Sequence, residues 1–315
     1  MRRFLLRRSA LLLATLFAAS VAIYAAMYLA PGDPIAVLTG GRQVTPEVRA
    51  QLTARYHLDD PLPVRYWNWL TSAFHGDFGY SIASREDVST LIVQRAPTTI
   101  ELVTYASVII AVVGIGIGVL SALKPGFVDT TVLLVTTVLA AIPSFVAALF
   151  LISVFSVKLG WFPALGEGEG FSDQIVHLTL PAVALAVASL ALVARVTRAS
   201  VRDESKREHV QTAISRGLPV GIVLRRHVLR NAAIPITTVT GLTIASLIVL
   251  ASVVEQAFNL NGLGATLVTA AQNKDFAVVQ AVSLIMVVAF VLINSIVDFL
   301  YALLDPRVSL GTAAA

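Results

Sequence analysis

Six stretches of about 20 apolar residues constrain the fold of this chain most, because each is long enough to cross a bilayer. Hydrophobic residues make up 57% of the 315 residues and charged residues only 13%, against roughly 25% charged in soluble globular domains. We therefore predict an all-α polytopic membrane protein with six transmembrane helices. The predicted spans 1 to 6 cover residues 9–29, 98–123, 130–157, 177–194, 231–254 and 276–297.

The positive charges predict the direction of the spans. Fifteen of the 23 Lys and Arg residues lie before span 1, between spans 2 and 3, between spans 4 and 5, or after span 6. Short loops rich in Lys and Arg stay in the cytoplasm. We therefore expect both termini in the cytoplasm, and we ascribe the net charge of +4 to topology rather than to nucleic-acid binding.

The start of span 1 has the basic residues and apolar run of a secretory signal peptide. Its apolar run, however, exceeds the 7–15 residues typical of a signal peptide, which favours an uncleaved membrane anchor.

The pattern divides the chain into four parts. We predict an N-terminal cytoplasmic segment with the first transmembrane helix (1–30), an extracytoplasmic subdomain (31–97), a five-helix transmembrane core (98–303) that includes the loop 199–230, and a cytoplasmic tail (304–315).

The subdomain between spans 1 and 2 has helix signals of its own. Thr45, Pro46 and Glu47 read as an N-cap, a first-turn proline and an acid that suits the helix dipole. A second helix is expected after the "DDPLP" segment, and it carries aromatic residues that include Trp67 and Trp69. These aromatics suit either a subdomain core or interfacial belt, or a docking face, and the sequence leaves both open.

The loop between spans 4 and 5 predicts a short amphipathic helix. Ser205 and Glu208 have the spacing of a capping box, and Gly217 with Pro219 supplies a C-terminal stop. Such a helix could lie on lipid, pack on its own bundle or fit a groove on a partner. Its apolar stripe consists of Val210, Ala213, Ile214, Gly217 and Leu218.

Small residues and prolines within the spans predict how the helices pack. Gly114, Gly116 and Gly118 in span 2 suit close helix contact. Pro143 in span 3 and Pro181 in span 4 are expected to kink their helices and to free backbone carbonyls.

The sequence argues against several chemistries. There is no cysteine, and the five histidines are scattered without metal-ligand spacing. No G-x-x-x-x-G-K-[ST], H-E-x-x-H or G-x-S-x-G motif appears, which argues against nucleotide binding by a phosphate loop and against a membrane-embedded hydrolase. We expect no catalytic, metal or cofactor site in this chain.

A series of short motifs runs through the whole chain in order. They are "LAPGDP", "GDFGYS", "APTTIEL", "IPSF", "KLGWFPA", "ARVTRAS", "QTAISRG" followed by "RRHVLRNAAIP", "GLGATLV" and "LYALLDPR". This series resembles the permeases of ATP-binding-cassette importers of the peptide and nickel branch, and among them the B subunits of dipeptide and oligopeptide permeases. One departure is that the wider superfamily has Glu-Ala-Ala where this chain has Gln211-Thr212-Ala213.

The resemblance implies a set of partners. They are a second homologous permease subunit, cassette ATPase subunits that bind ATP and Mg, an extracytoplasmic substrate-binding protein and the lipid bilayer, with no nucleic acid. The membrane would be the bacterial cytoplasmic (inner) membrane. ATP hydrolysis would belong to the partner ATPases, so this chain would not be an enzyme by itself.

The resemblance also implies a site, a coupling helix in the loop 199–230 that contacts the ATPases. We expect its apolar stripe and Gly217 to seat in a groove on the ATPase, with Arg216 at the rim. The expected site residues are Glu208, Val210, Gln211, Thr212, Ala213, Ile214, Arg216 and Gly217.

The substrate stays open at this point. Peptides are the first expectation, and nickel chelates, glutathione-like compounds or haem are alternatives with the same machinery. An ion-coupled secondary transporter is the alternative of another class. Such transporters place acids or histidines deep in the membrane, whereas Glu101 is the one acid inside the predicted spans and lies near an end.

Overall fold

The computed structural model describes residues 2–29, 35, 45–55 and 59–304. These residues form helices joined by short connections, with one two-stranded ribbon. The helices are α1 (Arg2–Leu29), α2 (Pro46–Arg55), α3 (Leu62–Phe74), α4 (Val88–Ile109), α5 (Ile115–Leu123), α6 (Phe127–Ala141), α7 (Ser144–Leu151), α8 (Phe171–Ser205), α9 (Glu208–Ser215), α10 (Val220–Ile222), α11 (Arg230–Ala257), α12 (Leu263–Gln272) and α13 (Phe276–Leu304).

Three π-helical segments interrupt or extend these helices without ending the spans. Ile110–Gly114 joins α4 to α5, Ile152–Lys158 continues α7, and Val223–Leu229 joins α10 to α11. The segments α1, α4–α5, α8, α10–α11 and α13 are each long and apolar enough to cross a membrane, and the bent pair α6–α7 supplies a sixth span. Five of the six predicted spans are therefore continuous helices of spanning length, and the count reaches six when the bent pair is taken as one span.

The bundle has two ends, which we name by their contents. The basic end carries α9 and the start of α11. The insert end carries α12 and the two-stranded ribbon, which belongs to the segment 31–97 between spans 1 and 2, called the insert below. Helices α1 and α13 are in contact, and Arg8 near the start of α1 pairs with Asp298 near the end of α13. Since these two helices run in opposite directions, the start of α1 lies at the basic end.

Helix α8 is the centre of the bundle and contacts α4, α5, α6, α7 and α11. Close approach of α5 to α8 depends on glycine. A Cβ at Gly118 would lie 2.6 Å from the Ala194 carbonyl oxygen, and one at Gly114 would lie 3.4 Å from the Leu190 carbonyl oxygen. A Cβ at Gly116 would meet nothing within 4 Å, so the predicted packing role is confirmed for two of the three glycines.

The third span bends sharply where a kink was predicted. Helix α6 ends at Ala141, α7 begins at Ser144, and the two axes differ by 102°. Ile142 is extended (φ −87°, ψ 115°), as expected for a residue that precedes proline. Pro181, by contrast, lies inside a helix that runs unbroken from Phe171 to Ser205.

The insert begins its first described helix where the sequence predicted it. The Val48 N–H donates to the Thr45 hydroxyl over 3.4 Å, which makes Thr45 the N-cap of α2. Hydrogen bonds to its own backbone and to Thr45 lower the pKa of the Glu47 carboxyl. Helix α3 follows the "DDPLP" segment, as predicted.

The aromatic side chains of α3 divide into two groups. Tyr66 and Trp69 each place their ring centroids 5.5 Å from that of Tyr24 on α1, and the Tyr66 hydroxyl lies 2.7 Å from the Ser20 hydroxyl. Trp67 is 59% exposed and points away from this cluster. Tyr66 and Trp69 thus fasten α3 to the first spanning helix rather than forming a core of the subdomain, and Trp67 lies at the surface.

The fold is not purely α-helical, which corrects the predicted class in one detail. Strands β1 (Tyr80–Ser81) and β2 (Glu86–Asp87) form an antiparallel ribbon just before α4. The ribbon is anchored to the start of α13, because the Ser81 hydroxyl and the Ala83 N–H both donate to Asp275 Oδ2, over 2.7 Å and 3.2 Å. Its two-residue strands gave no alternating pattern in the sequence.

Candidate coupling site

The loop at the basic end starts differently from the prediction. Ser205 is the last residue of α8, and its hydroxyl donates back to the Val201 carbonyl over 2.6 Å. It does not cap α9, whose N-cap is Arg207 with extended backbone, and no side chain bonds to the free N–H groups there. The predicted capping box is therefore wrong, because the preceding helix continues through its first residue.

Helix α9 turns its most apolar residues towards its own chain. Val210 and Ala213 are 1% and 4% exposed, and they pack in a cluster with Val201, Val223 and Val228. A side chain already buried in this way has no surface left to fill a groove on another protein in this conformation. The expectation that the whole stripe seats in an ATPase is therefore corrected for these two residues, which fasten α9 to the bundle.

The opposite side of α9 is open. Ile214 is 53% exposed although it belongs to the predicted stripe, and Leu218 beyond the helix is 38% exposed. The surface available to a partner is therefore mixed, with the apolar side chains of Ile214 and Leu218 among polar ones. Its exposed site residues are Glu208, Gln211, Thr212, Ile214, Arg216 and Gly217.

Gly217 ends α9 by its backbone geometry. Its φ is +75°, a conformation that costs glycine little and other residues more. The Gly217 N–H donates to the Ile214 carbonyl and the Leu218 N–H to the Ala213 carbonyl, the pattern of a Schellman C-cap. A Cβ at this position would meet nothing within 4 Å, so glycine is required here for its conformation and not for its small size.

A buried carboxylate ties α9 to two spanning helices. Glu204, near the end of α8, is 8% exposed. Its Oε1 accepts from Asn231 Nδ2 on α11 over 2.9 Å and lies 3.3 Å from His209 Nε2 on α9. Its Oε2 pairs with Arg207 Nε over 3.0 Å. One side chain thus connects the end of span 4, the helix α9 and the start of span 5.

The His209–Asn231 contact completes this group. Asn231 Nδ2 lies 3.3 Å from His209 Nε2 and donates to the His227 carbonyl over 3.1 Å. We name Glu204, Arg207, His209 and Asn231 the Glu204 cluster. Its members come from α8, α9 and α11 and from the junction between the first two, so the cluster links α9 to both spans.

A second charged cluster lies at the same end. Asp129, at the start of α6, accepts from the Ser121 hydroxyl over 2.7 Å and from Arg202 Nη1 over 3.1 Å. Arg198 approaches the same carboxylate with two nitrogens, Nε and Nη2. These bonds join the ends of spans 2 and 3 to the end of α8, so the two clusters together connect four spans and α9 at the basic end.

The sequence analysis did not identify either cluster. The partners in each cluster are separated by long stretches of chain. Asp129 meets Arg198 and Glu204 meets Asn231 only because α8 packs against both α6 and α11. One signal was present, since Asn231 is part of the "RRHVLRNAAIP" motif. Arg225 and Arg226, by contrast, are exposed, which suits the topology role expected of basic residues in this loop.

The two clusters connect helices of the bundle by ion pairs and hydrogen bonds. Within the described residues, no group of three or more His, Cys, Asp or Glu side chains could hold a metal ion. Helix α9 thus combines an exposed face with attachment to α8 and α11.

Two family models together match most of the chain. The model described as "Binding-protein-dependent transport system inner membrane component" matches residues 114–310. The model of the N-terminal region of the same transport-system membrane components matches residues 1–103.

Full-length relatives agree. The chain is 36% identical to the oligopeptide transport system permease protein AppB of Bacillus subtilis, 34% to the di/tripeptide transport system permease protein DppB of Pseudomonas aeruginosa and 35% to the glutathione transport system permease protein GsiC of Escherichia coli K12. Each comparison covers 98% of this chain and 99% of the relative.

Among solved structures, the fold resembles a chain of the MetNI methionine ABC transporter in an inward-facing conformation. The TM-score is 0.55 at 17% identity, and the match covers 68% of this chain and 96% of that chain. At this identity the likeness concerns the fold alone. The family models and the full-length relatives show that the chain belongs to the family of binding-protein-dependent transport system inner membrane components, the permease subunits of ATP-driven importers.

Proposed function

We propose that the chain is one of two homologous permease subunits through which an ATP-driven importer moves short peptides across the bacterial cytoplasmic membrane. The observation that carries the proposal is end-to-end similarity to the oligopeptide and di/tripeptide permeases. Two cassette ATPases, in separate chains or one, bind ATP and Mg beneath the basic end. An extracytoplasmic binding protein delivers the substrate to the insert end.

The proposed orientation places the basic end in the cytoplasm. Nine Lys and Arg residues lie between Arg195 and Arg230, and the positive-inside rule favours the cytoplasm for such a loop. A reporter fused after Arg207 should therefore be active only in the cytoplasm, and one fused after Gly76 only outside. The reverse pattern would contradict the orientation and with it the ATPase contact.

The proposed coupling mechanism follows from the two sides of α9. The exposed side, which includes Gln211 and Arg216, contacts the ATPase, while Val210 and Ala213 hold the helix on the bundle. Closure of the ATPases on ATP then moves α9, and the Glu204 cluster passes that movement to α8 and α11. Rigid-body rocking of this kind alternates the two openings of a transporter.

Glutathione is a second candidate substrate. The GsiC relatives are as similar to this chain as the peptide permeases are, at 35% identity over the same length. Glutathione is itself a small tripeptide with free carboxylates. Both candidates therefore require a pathway that accepts a short chain with polar backbone groups and negative ends.

Uptake by the reconstituted complex tests the proposal. The chain is co-expressed with the permease, ATPases and binding protein from neighbouring genes, and the complex is placed in liposomes with ATP inside and labelled trialanine or glutathione outside with the binding protein. We expect uptake that requires ATP and the binding protein. Uptake driven by a proton or sodium gradient without ATP would show an ion-coupled transporter instead.

A matched control separates coupling from assembly. A complex whose ATPases carry a substitution in the phosphate-loop lysine should assemble and bind the same partners but show no uptake, since that lysine holds the nucleotide phosphates. If uptake of both substrates is absent while ATP hydrolysis is intact, the peptide assignment fails and the importer assignment stands.

A further inference from the structure

A half-enclosed cavity of about 240 Å³ opens at the insert end of the bundle. Its walls come from the turn of the ribbon, from α4, from the connection between α11 and α12, from α12 itself and from the start of α13. The "APTTIEL" motif of the sequence begins directly beside it, and nothing in the coupling mechanism uses this region. The cavity is therefore a separate candidate for ligand binding.

One cationic side chain in the cavity wall forms no ion pair with the described residues. Arg95 on α4 lines it and is partly buried, and it makes no ion pair or hydrogen bond with any other residue that the structure describes. A guanidinium presents five donors in a planar fork that matches a carboxylate. Leaving such a group unpaired and half-desolvated costs free energy, which an anionic ligand would recover.

The carboxylates near Arg95 accept hydrogen bonds from other donors. Asp275 lines the same cavity, but its Oδ2 accepts from Ser81 and Ala83, and its Oδ1 accepts from the Val278 N–H over 3.4 Å. Glu255, just behind α12, accepts from the Thr99 hydroxyl over 2.6 Å and from the Ala265 N–H over 2.8 Å. The protein thus has carboxylates close by and leaves Arg95 free of them.

The rest of the lining suits a peptide backbone. Asn259, Asn261 and Asn273 line the cavity, and no hydrogen bond of their side-chain amides is present among the described residues. An amide side chain both donates and accepts, so it pairs with a peptide group whatever the neighbouring side chain is. Leu91 and Val278 add apolar surface between them. The three asparagines are exposed, so their amides are free to pair with a ligand that enters the cavity.

From this geometry we infer that the cavity binds the C-terminal carboxylate and last peptide group of a short peptide, with Arg95 as the carboxylate ligand and the three asparagines as ligands of the backbone. The volume lies just below the roughly 300–1,000 Å³ of sites that enclose a whole drug-sized ligand, so it suits the end of a peptide. The inference rests on the proposed function and adds which part of the peptide is bound. The cavity would recognise the end of the peptide and not its side chains.

The test measures peptide binding to the purified permease–ATPase complex in nanodiscs without the binding protein. The probes are trialanine and trialanine C-terminal amide, which differ only in the carboxylate. We expect the amide to bind about tenfold more weakly to the unmodified complex, the change that loss of one charge-assisted pair produces. Equal affinities, or no binding of either peptide, would overturn the inference without any variant.

Two variants assign the effect to the cavity. Arg95→Gln should remove the difference between the acid and the amide. Arg85→Gln, the same charge change on an exposed residue of the ribbon outside the cavity, should leave the difference in place. Loss of the difference in both variants would overturn the site in favour of general surface charge.

The same variants distinguish a peptide from a protein ligand. If Arg95→Gln weakens association of the binding protein and leaves trialanine affinity unchanged, Arg95 is a docking residue for that protein and the inference is wrong. Uptake in liposomes is scored separately. Arg95-dependent carboxylate binding without ATP-dependent peptide uptake would refute the proposed function and keep the carboxylate site.

Discussion

The fifth span, α10–α11, is held by a carboxylate at each of its ends, and the two carboxylates have opposite surroundings. At the basic end, Glu204 bonds to Asn231 and lies against Arg207 and His209, whose side chains are 68% and 42% exposed. At the insert end, Glu255 is 0% exposed and accepts from neutral donors, the Thr99 hydroxyl and the Ala265 N–H.

This difference teaches which end can move. Because the Arg207 and His209 side chains are exposed, water can replace them more readily than it can replace a partner that is itself buried. A buried polar network cannot exchange its partners with solvent, and opening it leaves each group unsatisfied. We therefore expect the basic end to rearrange during transport, while α4, α11 and α12 stay together at the insert end as a fixed frame for the Arg95 cavity.

The fixed frame is built around the start of α12. Thr99 also accepts from the Leu263 N–H over 2.8 Å, so the Glu255–Thr99 pair satisfies two N–H groups in the first turn of that helix. A Cβ on Gly262, the N-cap of α12, would collide with the Glu255 carboxyl. Glycine is needed at this position for close approach, unlike Gly217, where it is needed for its φ.

The largest expected effect is therefore at Glu255. Glu255→Ala leaves the Thr99 hydroxyl and the Ala265 N–H without their acceptor, at about 1–3 kcal/mol for each unsatisfied group. We expect a clear fall in the midpoint of thermal unfolding of the purified complex. Glu255→Gln, which keeps one acceptor oxygen, should lose less. If Glu255→Ala is as stable as the unmodified chain, the Glu255 network does not hold the insert end together and the proposed difference between the two ends is wrong.

Gly217 separates backbone geometry from groove filling at the basic end. Gly217→Val should disturb the end of α9 by about 1–3 kcal/mol, since a β-branched residue is strained at positive φ. Gly217→Asn, whose side chain tolerates this conformation, should keep most of the uptake although it is bulkier than glycine. Uptake and retention of the ATPases are measured for both in membranes.

The outcome of that pair decides what Gly217 does. If Asn and Val are equally harmful, the position is closed by the ATPase and side-chain size governs it. If Asn is tolerated, the C-cap explains the requirement for glycine. Gly217→Glu also places a side chain at positive φ, and its charge adds several kcal/mol only where the ATPase closes over the position.

These contrasts also show what the sequence could and could not predict. Five continuous spans, the start of α2 at Thr45 and the break at Pro143 follow from local hydropathy and local backbone chemistry, and the structure has them. The buried side of α9 could not be read from its stripe, because Val210 and Ile214 are equally apolar and only the position of α8 decides which of them faces the bundle.

The two carboxylates illustrate the same limit. The predicted end of span 5 at residue 254 left Glu255 just outside the membrane helix, whereas α11 continues to Ala257. Its partners Thr99 and Ala265 come from other helices, and Glu204 finds Asn231 across 27 positions of the chain. Pairings of this kind depend on how helices stack, for which a single sequence has no local signal.

A smaller effect on stability is expected at Glu204. Glu204→Gln keeps an acceptor for Asn231 and removes the charge that faces Arg207 and His209. Because those partners are largely exposed, we expect unfolding to change by about 1 kcal/mol or less. Uptake per ATP hydrolysed should nevertheless fall, since α9 is less firmly tied to α8 and α11. An unchanged ratio would show that Val210 and Ala213 transmit the movement alone.

The smallest effect on stability and uptake is expected for two arginines of the basic loop. Arg225 and Arg226 are exposed, and neither has an ion pair or hydrogen bond within the described residues. Replacing both with Gln leaves seven Lys and Arg residues between positions 195 and 230, so the positive-inside signal persists. Substitutions at such surface sites usually change the free energy of unfolding by less than about 0.5 kcal/mol.

If this loop instead works by lying on anionic lipid, each lost charge removes about 1 kcal/mol of attraction, and the double variant should impair uptake more than Glu204→Gln does. Orientation by reporter fusion, ATPase retention and uptake are measured for both variants in the same membranes. A greater loss of uptake in Glu204→Gln supports transmission through the Glu204 cluster. A greater loss in the double arginine variant assigns the basic end to the lipid surface.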